Sequence, residues 1–143
     1  MLQTTLLHPE ILYALGAAGH GAQVLIADGN YPFATRSNPQ AEKVFLSLCP
    51  GVLTVSDVLC VLVEAIPVEA AHVMATADGT EPGIWAEFRA LLPDIPLQAL
   101  ERFAFYDAAS MPDVALVIAT GEQRVYANVL LTIGVVPPPP DAR

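Results

Sequence analysis

The sequence predicts one α/β layered domain whose mixed or mostly parallel sheet is flanked by helices. Three observations carry this prediction. Strand-like and helix-like segments alternate along the chain. Val114–Ala119 is an uninterrupted apolar run, the pattern of a strand buried on both faces. A length of 143 residues suits a single core. The domain is expected over residues 1–136, with a proline-rich tail over 137–143.

His8-Pro9-Glu10 opens the first helix, because proline fits the first turn and an acidic residue suits the positive end of the dipole. Ile11, Leu12 and Leu15 give that helix its apolar face, and Gly16 and Gly19 are expected to end it. Gln23–Ala27 follows as an apolar strand, and Asp28-Gly29-Asn30-Tyr31-Pro32 is turn chemistry. Lys43–Leu48 reads as a short helix or a packed loop, and Val52–Val55 as a short strand. Ser56 is the expected cap of a second helix with Asp57 in its first turn. Leu59, Leu62, Val63 and Ile66 then fall on one face, and Pro67 stops the helix. His72–Ala75 reads as a strand. Glu81-Pro82 opens a third helix with Ile84, Phe88, Leu91 and Leu92 inward. A fourth helix is expected around Leu100–Ala109, and Arg124–Ile133 is the last strand candidate. Trp85, Phe88 and Phe45 read as core, His72 as a core or interface histidine, and Pro137–Pro140 as an unpacked polyproline segment.

Composition excludes several classes of function. Six basic against fifteen acidic residues give a net charge of −9, which repels nucleic acid and anionic membranes. Neither long charge-free run, 11–27 or 125–140, offers the roughly 20 continuous apolar residues of a membrane span. No basic region precedes an apolar stretch at the start, so no signal peptide is expected. Cys49 and Cys60 form no CxxC pair and suit a reducing cytosol as core thiols. With 54% hydrophobic and only 15% charged residues, part of the surface is expected to be covered by partner subunits. No phosphate loop, GxSxG, HExxH or zinc spacing occurs, and Gly16-Ala17-Ala18-Gly19-His20-Gly21 precedes a strand where a dinucleotide loop would follow one. None of these residues carries a nucleotide or metal signature.

What remains is a set of polar residues beside turns. His20 stands between two glycines with room for a ligand to approach, and it reads as a proton carrier or as a loop histidine bonded to a carbonyl. Asp28 sits where the first strand ends, which is where open α/β sheets bind ligands, though an Asx-turn would explain it as well. Arg102, one of six basic residues, lies in an apolar stretch and could pair with Glu101 or Asp107. Tyr126 and Asn128, two apart in a predicted strand, share one face and could grip a polyhydroxylated ligand or simply face solvent. Glu64, Glu69, Glu81 and Glu87 read as solvated.

Taken in order, several stretches resemble the fucose mutarotase and ribose pyranase family. They are Gly19-His20-Gly21, Ala27-Asp28 with Pro32, Val55-Ser56-Asp57, Arg102-Phe103-Ala104-Phe105-Tyr106, Gly121-Glu122 and Tyr126-x-Asn128-Val129-Leu130-Leu131. No single piece is specific, but the ordered set runs through most of the chain. The Arg102–Tyr106 segment looks more like the fucose branch, while Asp28–Pro32 lacks the histidine common there. The resemblance implies a cytosolic, cofactor-independent isomerase that interconverts the anomers of a free monosaccharide such as L-fucose. It implies a homo-oligomeric ring, a pentamer or a decamer. It maps the catalytic proton donor to His20 and the substrate-binding residues to Asp28, Arg102, Tyr126 and Asn128. Against it stand a non-catalytic sugar-binding subunit and a purely structural oligomer.

Overall fold

The computed structural model describes residues 1–141. Among them the elements run α1 (Pro9–Ala17), β1 (Gln23–Ala27), β2 (Glu42–Phe45), α2 (Val55–Ala65), β3 (Val68–Met74), α3 (Ile84–Leu91), β4 (Leu97–Leu100), α4 (Arg102–Ala109), β5 (Val114–Ala119) and β6 (Val129–Ile133). The six strands form one sheet in the order β2-β5-β1-β6-β3-β4. Only β6 runs against its neighbours. The sheet is therefore mixed, and helices flank it as the alternation predicts. The carboxyl ends of β1, β3, β4 and β5 all meet the start of β6 at one end of the sheet.

Alternation along the strands builds two apolar layers. Val24, Ile26, Leu116, Ile118, Val129 and Leu131 face one side, where they pack with Ile11 of α1, Leu59 and Leu62 of α2, and Ile84 and Phe88 of α3. Leu25, Ala27, Val117, Leu130 and Met74 face the other, under Phe105 and Ala109 of α4. Three helices thus cover one face and one short helix the other, leaving part of the second face free for a cavity. β5 is buried on both faces, as its unbroken apolar run predicts.

Several expectations are corrected. Lys43–Leu48 is neither helix nor loop at its start, because β2 pairs in parallel with β5 over Glu42–Phe45. Non-local ladder bonds outweigh a weak local preference there. Phe45 consequently points outward at 64% exposure and is not core, whereas Trp85 and Phe88 are buried. Val52–Val55 is not a strand: Leu53 takes a left-handed φ of 56° and Thr54, not Ser56, caps α2. Thr54 and Asp57 close a reciprocal capping box, the Asp57 N–H reaching Thr54 Oγ1 at 3.2 Å and the Thr54 N–H reaching Asp57 Oδ2 at 2.8 Å. Gly16 lies inside α1, which ends at Ala17, and the glycine that takes a left-handed conformation after it is Gly21. The strand read at His72–Ala75 begins earlier, at Val68. Leu100 belongs to β4, and α4 starts at Arg102 with Glu101 capping it. The last strand begins only at Val129. Both cysteines are exposed and free, so they are not core thiols. The prolines at 137–140 carry no regular structure, and residues 142 and 143 of the tail lie outside the described residues.

Candidate active site

The turn after β1 places Asp28 at the carboxyl end of the sheet, 3% exposed. Its Oδ1 accepts the Asn30 N–H at 2.9 Å, so the Asx-turn exists. The Asp28 N–H in turn donates to Asn128 Oδ1 at 3.0 Å. That bond sets the orientation of the Asn128 amide, leaving its Nδ2 with only Met74 Sδ at 3.9 Å and free to donate to a ligand. Burial pushes the Asp28 carboxyl above its ordinary value, with the nearby Glu122 charge adding to the rise, against opposing bonds from Asn30, Ala127 and Asn128.

Tyr126 and Asn128 do not lie on a strand face. They precede β6 in an irregular segment, and Tyr126 is held at φ 60°. A non-glycine residue in that region is uncommon and strained, and such strain collects at functional sites. Arg102 opens α4 at the mouth of β4. It is exposed, so its charge needs no buried partner, and among the described residues it forms no ion pair. Glu101 is occupied in capping α4 through the Phe103 N–H.

These four side chains line one cavity of about 270 Å³. Met74, Val125 and Tyr31 supply its apolar wall. The volume lies just below the roughly 300–1,000 Å³ of pockets for drug-sized ligands, as suits a smaller molecule. A carboxylate, an amide, a guanidinium and a phenol together offer both donors and acceptors, the set a polyol requires. A larger open cleft of about 630 Å³ lies on the other side of Val125 and Tyr126. Its charged groups are already engaged. Asp78 is held down to about 2 by bonds from Thr80 and Thr76, and Arg124 is paired with Glu87 and Glu122.

His20 does not join the cavity. It sits before β1, at the opposite end of the sheet, where its Nε2 meets Glu69 Oε2 at 3.0 Å. Asp28 and Met74 end β1 and β3, whereas His20 and Glu69 stand at their beginnings. The strand rise puts about 13–20 Å between the two ends. His20 thus bonds a carboxylate rather than a carbonyl, and that bond orients the ring. Glu69 went unrecognised in the sequence because its partner lies 49 residues away and no local spacing links them. Glu64, Glu69, Glu81 and Glu87 are exposed, as the sequence predicts, and each also holds a polar partner: Thr5, His20, Arg89 and Arg124 respectively. Among the described residues no cluster of ligating side chains could hold a metal, and no helix is long and apolar enough to cross a membrane.

A model of the RbsD / FucU transport protein family matches residues 1–136. The fucose mutarotase of Danio rerio is 30% identical, covering 94% of this chain and 92% of that protein. The D-ribose pyranase of Paracidovorax citrulli is 33% identical over 94% of this chain and 98% of that one. The solved structure of Bacillus subtilis RbsD complexed with D-ribose superposes with a TM-score of 0.83, at 27% identity over 95% of this chain and 99% of that one.

Proposed function

The chain belongs to the RbsD / FucU family, and we propose that it is a cofactor-independent sugar mutarotase acting on L-fucose or a closely related pyranose. The observation that carries this reading is the convergence of Asp28, Arg102, Tyr126 and Asn128 from separate segments on one cavity beyond the strand ends. Relatives named fucose mutarotase and D-ribose pyranase support the reaction class.

Mutarotation opens a cyclic hemiacetal to an aldehyde and recloses it on the other face. An acid protonates the ring oxygen while a base takes the anomeric hydroxyl proton. Rotation about the adjacent carbon–carbon bond and reversal of the transfers give the other anomer. Only protons move, so positioned side chains suffice, and such assistance contributes about 10²–10⁴-fold. His20, oriented by Glu69, is the proton carrier. It serves the cavity of a second copy, because the length of β1 and β3 separates it from its own. The hydroxyl-binding groups hold the ring in orientation. Exposed Tyr13, Phe45, Leu48 and Phe103 support burial of apolar surface between copies in a homo-oligomeric ring, a pentamer or a decamer. The paired-cysteine-free sequence supports a cytosolic setting.

Exchange NMR on anomeric protons tests this across fucose, ribose and galactose. Acceleration of α/β exchange, abolished in a folded His20→Ala variant, is expected. Rates equal to buffer for every sugar would overturn it. The distance between His20 and the cavity also favours a second reading, a sugar-binding subunit without catalysis. Calorimetric binding alongside an unaltered exchange rate would select it.

A further inference from the structure

The sugar cavity depends on a segment that no strand ladder holds. Residues 121–128 deliver Val125, Tyr126 and Asn128 to the cavity before β6 begins at Val129. Tyr126 holds a left-handed backbone within this segment, an arrangement that persists only where the surroundings over-determine it. Arg124 supplies much of that constraint. Its backbone N–H and its Nε both donate to Glu122 Oε1, at 2.9 and 3.0 Å, and its Nη2 donates to Glu122 Oε2 at 2.8 Å. The same guanidinium reaches α3, with Nη1 on Glu87 Oε1 and Nη2 on Glu87 Oε2 at 3.3 Å. Glu87 in turn accepts a short bond from the Ser56 hydroxyl of α2.

The clamp also reaches the other wall of the cavity. Glu122 is 4% exposed, and its carbonyl accepts the Gly29 N–H at 2.9 Å, one residue beyond Asp28. Burial pushes the Glu122 carboxyl up, and its bonds from Arg124 outweigh that and hold it low. Arg124 itself does not line the sugar cavity. We propose that Arg124, bridging Glu122 and Glu87, is a positioning residue that holds Tyr126 and Asp28 in register for anomer exchange. This rests on the mutarotase reading.

A loosened segment can still close over a bound sugar, but it samples the productive arrangement less often, and misplacement by about 1 Å can lower turnover by about 10²-fold. Exchange NMR over a sugar concentration series separates kcat from KM for the full-length protein. Arg124→Gln is expected to lower kcat by about tenfold to a hundredfold while KM changes by less than about threefold. Arg124→Lys, which keeps the charge but loses the fork, recovers part of kcat. Glu87→Gln gives a fall of the same kind, and the double variant falls no further, since both changes open one clamp. Arg89→Gln breaks the neighbouring Glu81 pair on α3, which does not touch residues 121–128, and leaves kcat unchanged. Should Arg124→Gln fail to fold, Glu87→Gln, an exposed change, decides alone. Exchange by the unaltered protein with kcat unmoved in both clamp variants overturns the positioning role and spares the mutarotase reading. An effect confined to KM overturns it as well. Absence of exchange in the unaltered protein overturns both.

Discussion

Mixing two inactive variants separates a site closed within one chain from a site shared between copies. β1 climbs four residue steps from Gln23 to Ala27, and β3 six from Val68 to Met74. At the strand rise these are about 13 and 20 Å. Proton transfer requires heavy atoms about 3 Å apart, or a single intervening water. His20 therefore cannot serve the Asp28 cavity of its own chain in this fold. Under the proposed mechanism His20→Ala removes the proton carrier but leaves the cavity intact, and Asp28→Asn does the reverse. If the proposed ring assembles at random from equal amounts of the two, a site is whole when the cavity comes from the His20→Ala copy and the imidazole from the Asp28→Asn copy. Each condition holds for half the positions, so about one quarter of sites are whole. Variants carrying different affinity tags, co-expressed and purified through both, should exchange fucose anomers at about a quarter of the unaltered rate per site. Each parent alone should remain near the buffer rate. A doubly purified assembly that stays at the parents' rate would refute the shared site.

Three further outcomes follow from particular contacts. Burial holds the Asp28 carboxyl above its ordinary value of 3.8, so the folded state binds its proton more tightly than the unfolded chain does. Stability is then lost as pH rises from the unfolded value through the folded one, and Asp28→Asn should raise Tm at pH 7 but not near pH 3, by melts at both. Glu69→Gln should lower kcat roughly tenfold or more by releasing the His20 ring, with sugar affinity by calorimetry unchanged. At Gly121 a Cβ would lie 2.3 Å from the Val52 carbonyl oxygen and 2.7 Å from that of Cys49. Those are backbone atoms in a tight turn, so Gly121→Ala should cost about 1–3 kcal/mol, whereas Gly16→Ala, in open space within α1, should gain about 0.5–1 kcal/mol, both by denaturant titration.

The legible parts of the fold were those where one local signal sufficed. β1 and β5 are continuous apolar runs between turn residues, and both appear at the predicted bounds. α3 reads from Ile84, Phe88 and Leu92 on one face. β2 and β4 escaped because each has four residues and exists through a partner far away in sequence, Val117–Ile118 for β2 and Val73–Met74 for β4. At the site, Asp28 was legible from its place after a strand, and it proves to be both an Asx-turn residue and a cavity residue. Tyr126 and Asn128 were identified for a face they do not share, since the last strand starts later than its β-favouring composition suggests. They still meet, because the Asp28–Asn128 bond draws the segment over the cavity. Glu69 and Glu87 are solvent-exposed, as the sequence predicts, but their partners His20 and Arg124 are invisible until the chain folds.

Placing His20 and the cavity residues at opposite ends of one sheet has a physical consequence. The cavity end already carries two neighbouring buried carboxylates, Asp28 and Glu122. At the far end His20 meets one carboxylate, Glu69, and its ring is 58% exposed, open to the approach of a second copy. In the mechanism proposed above, a neighbouring copy brings its imidazole to the cavity from that open position. The same arrangement gives the exposed apolar side chains a purpose. Phe45 on the edge strand and Phe103 at the start of α4 lie on the same face of the sheet, joined through the rings of Phe33, Tyr31 and Tyr106, so one chain offers a continuous aromatic strip there. A strip of that kind suits the contact between copies that the proposed ring requires.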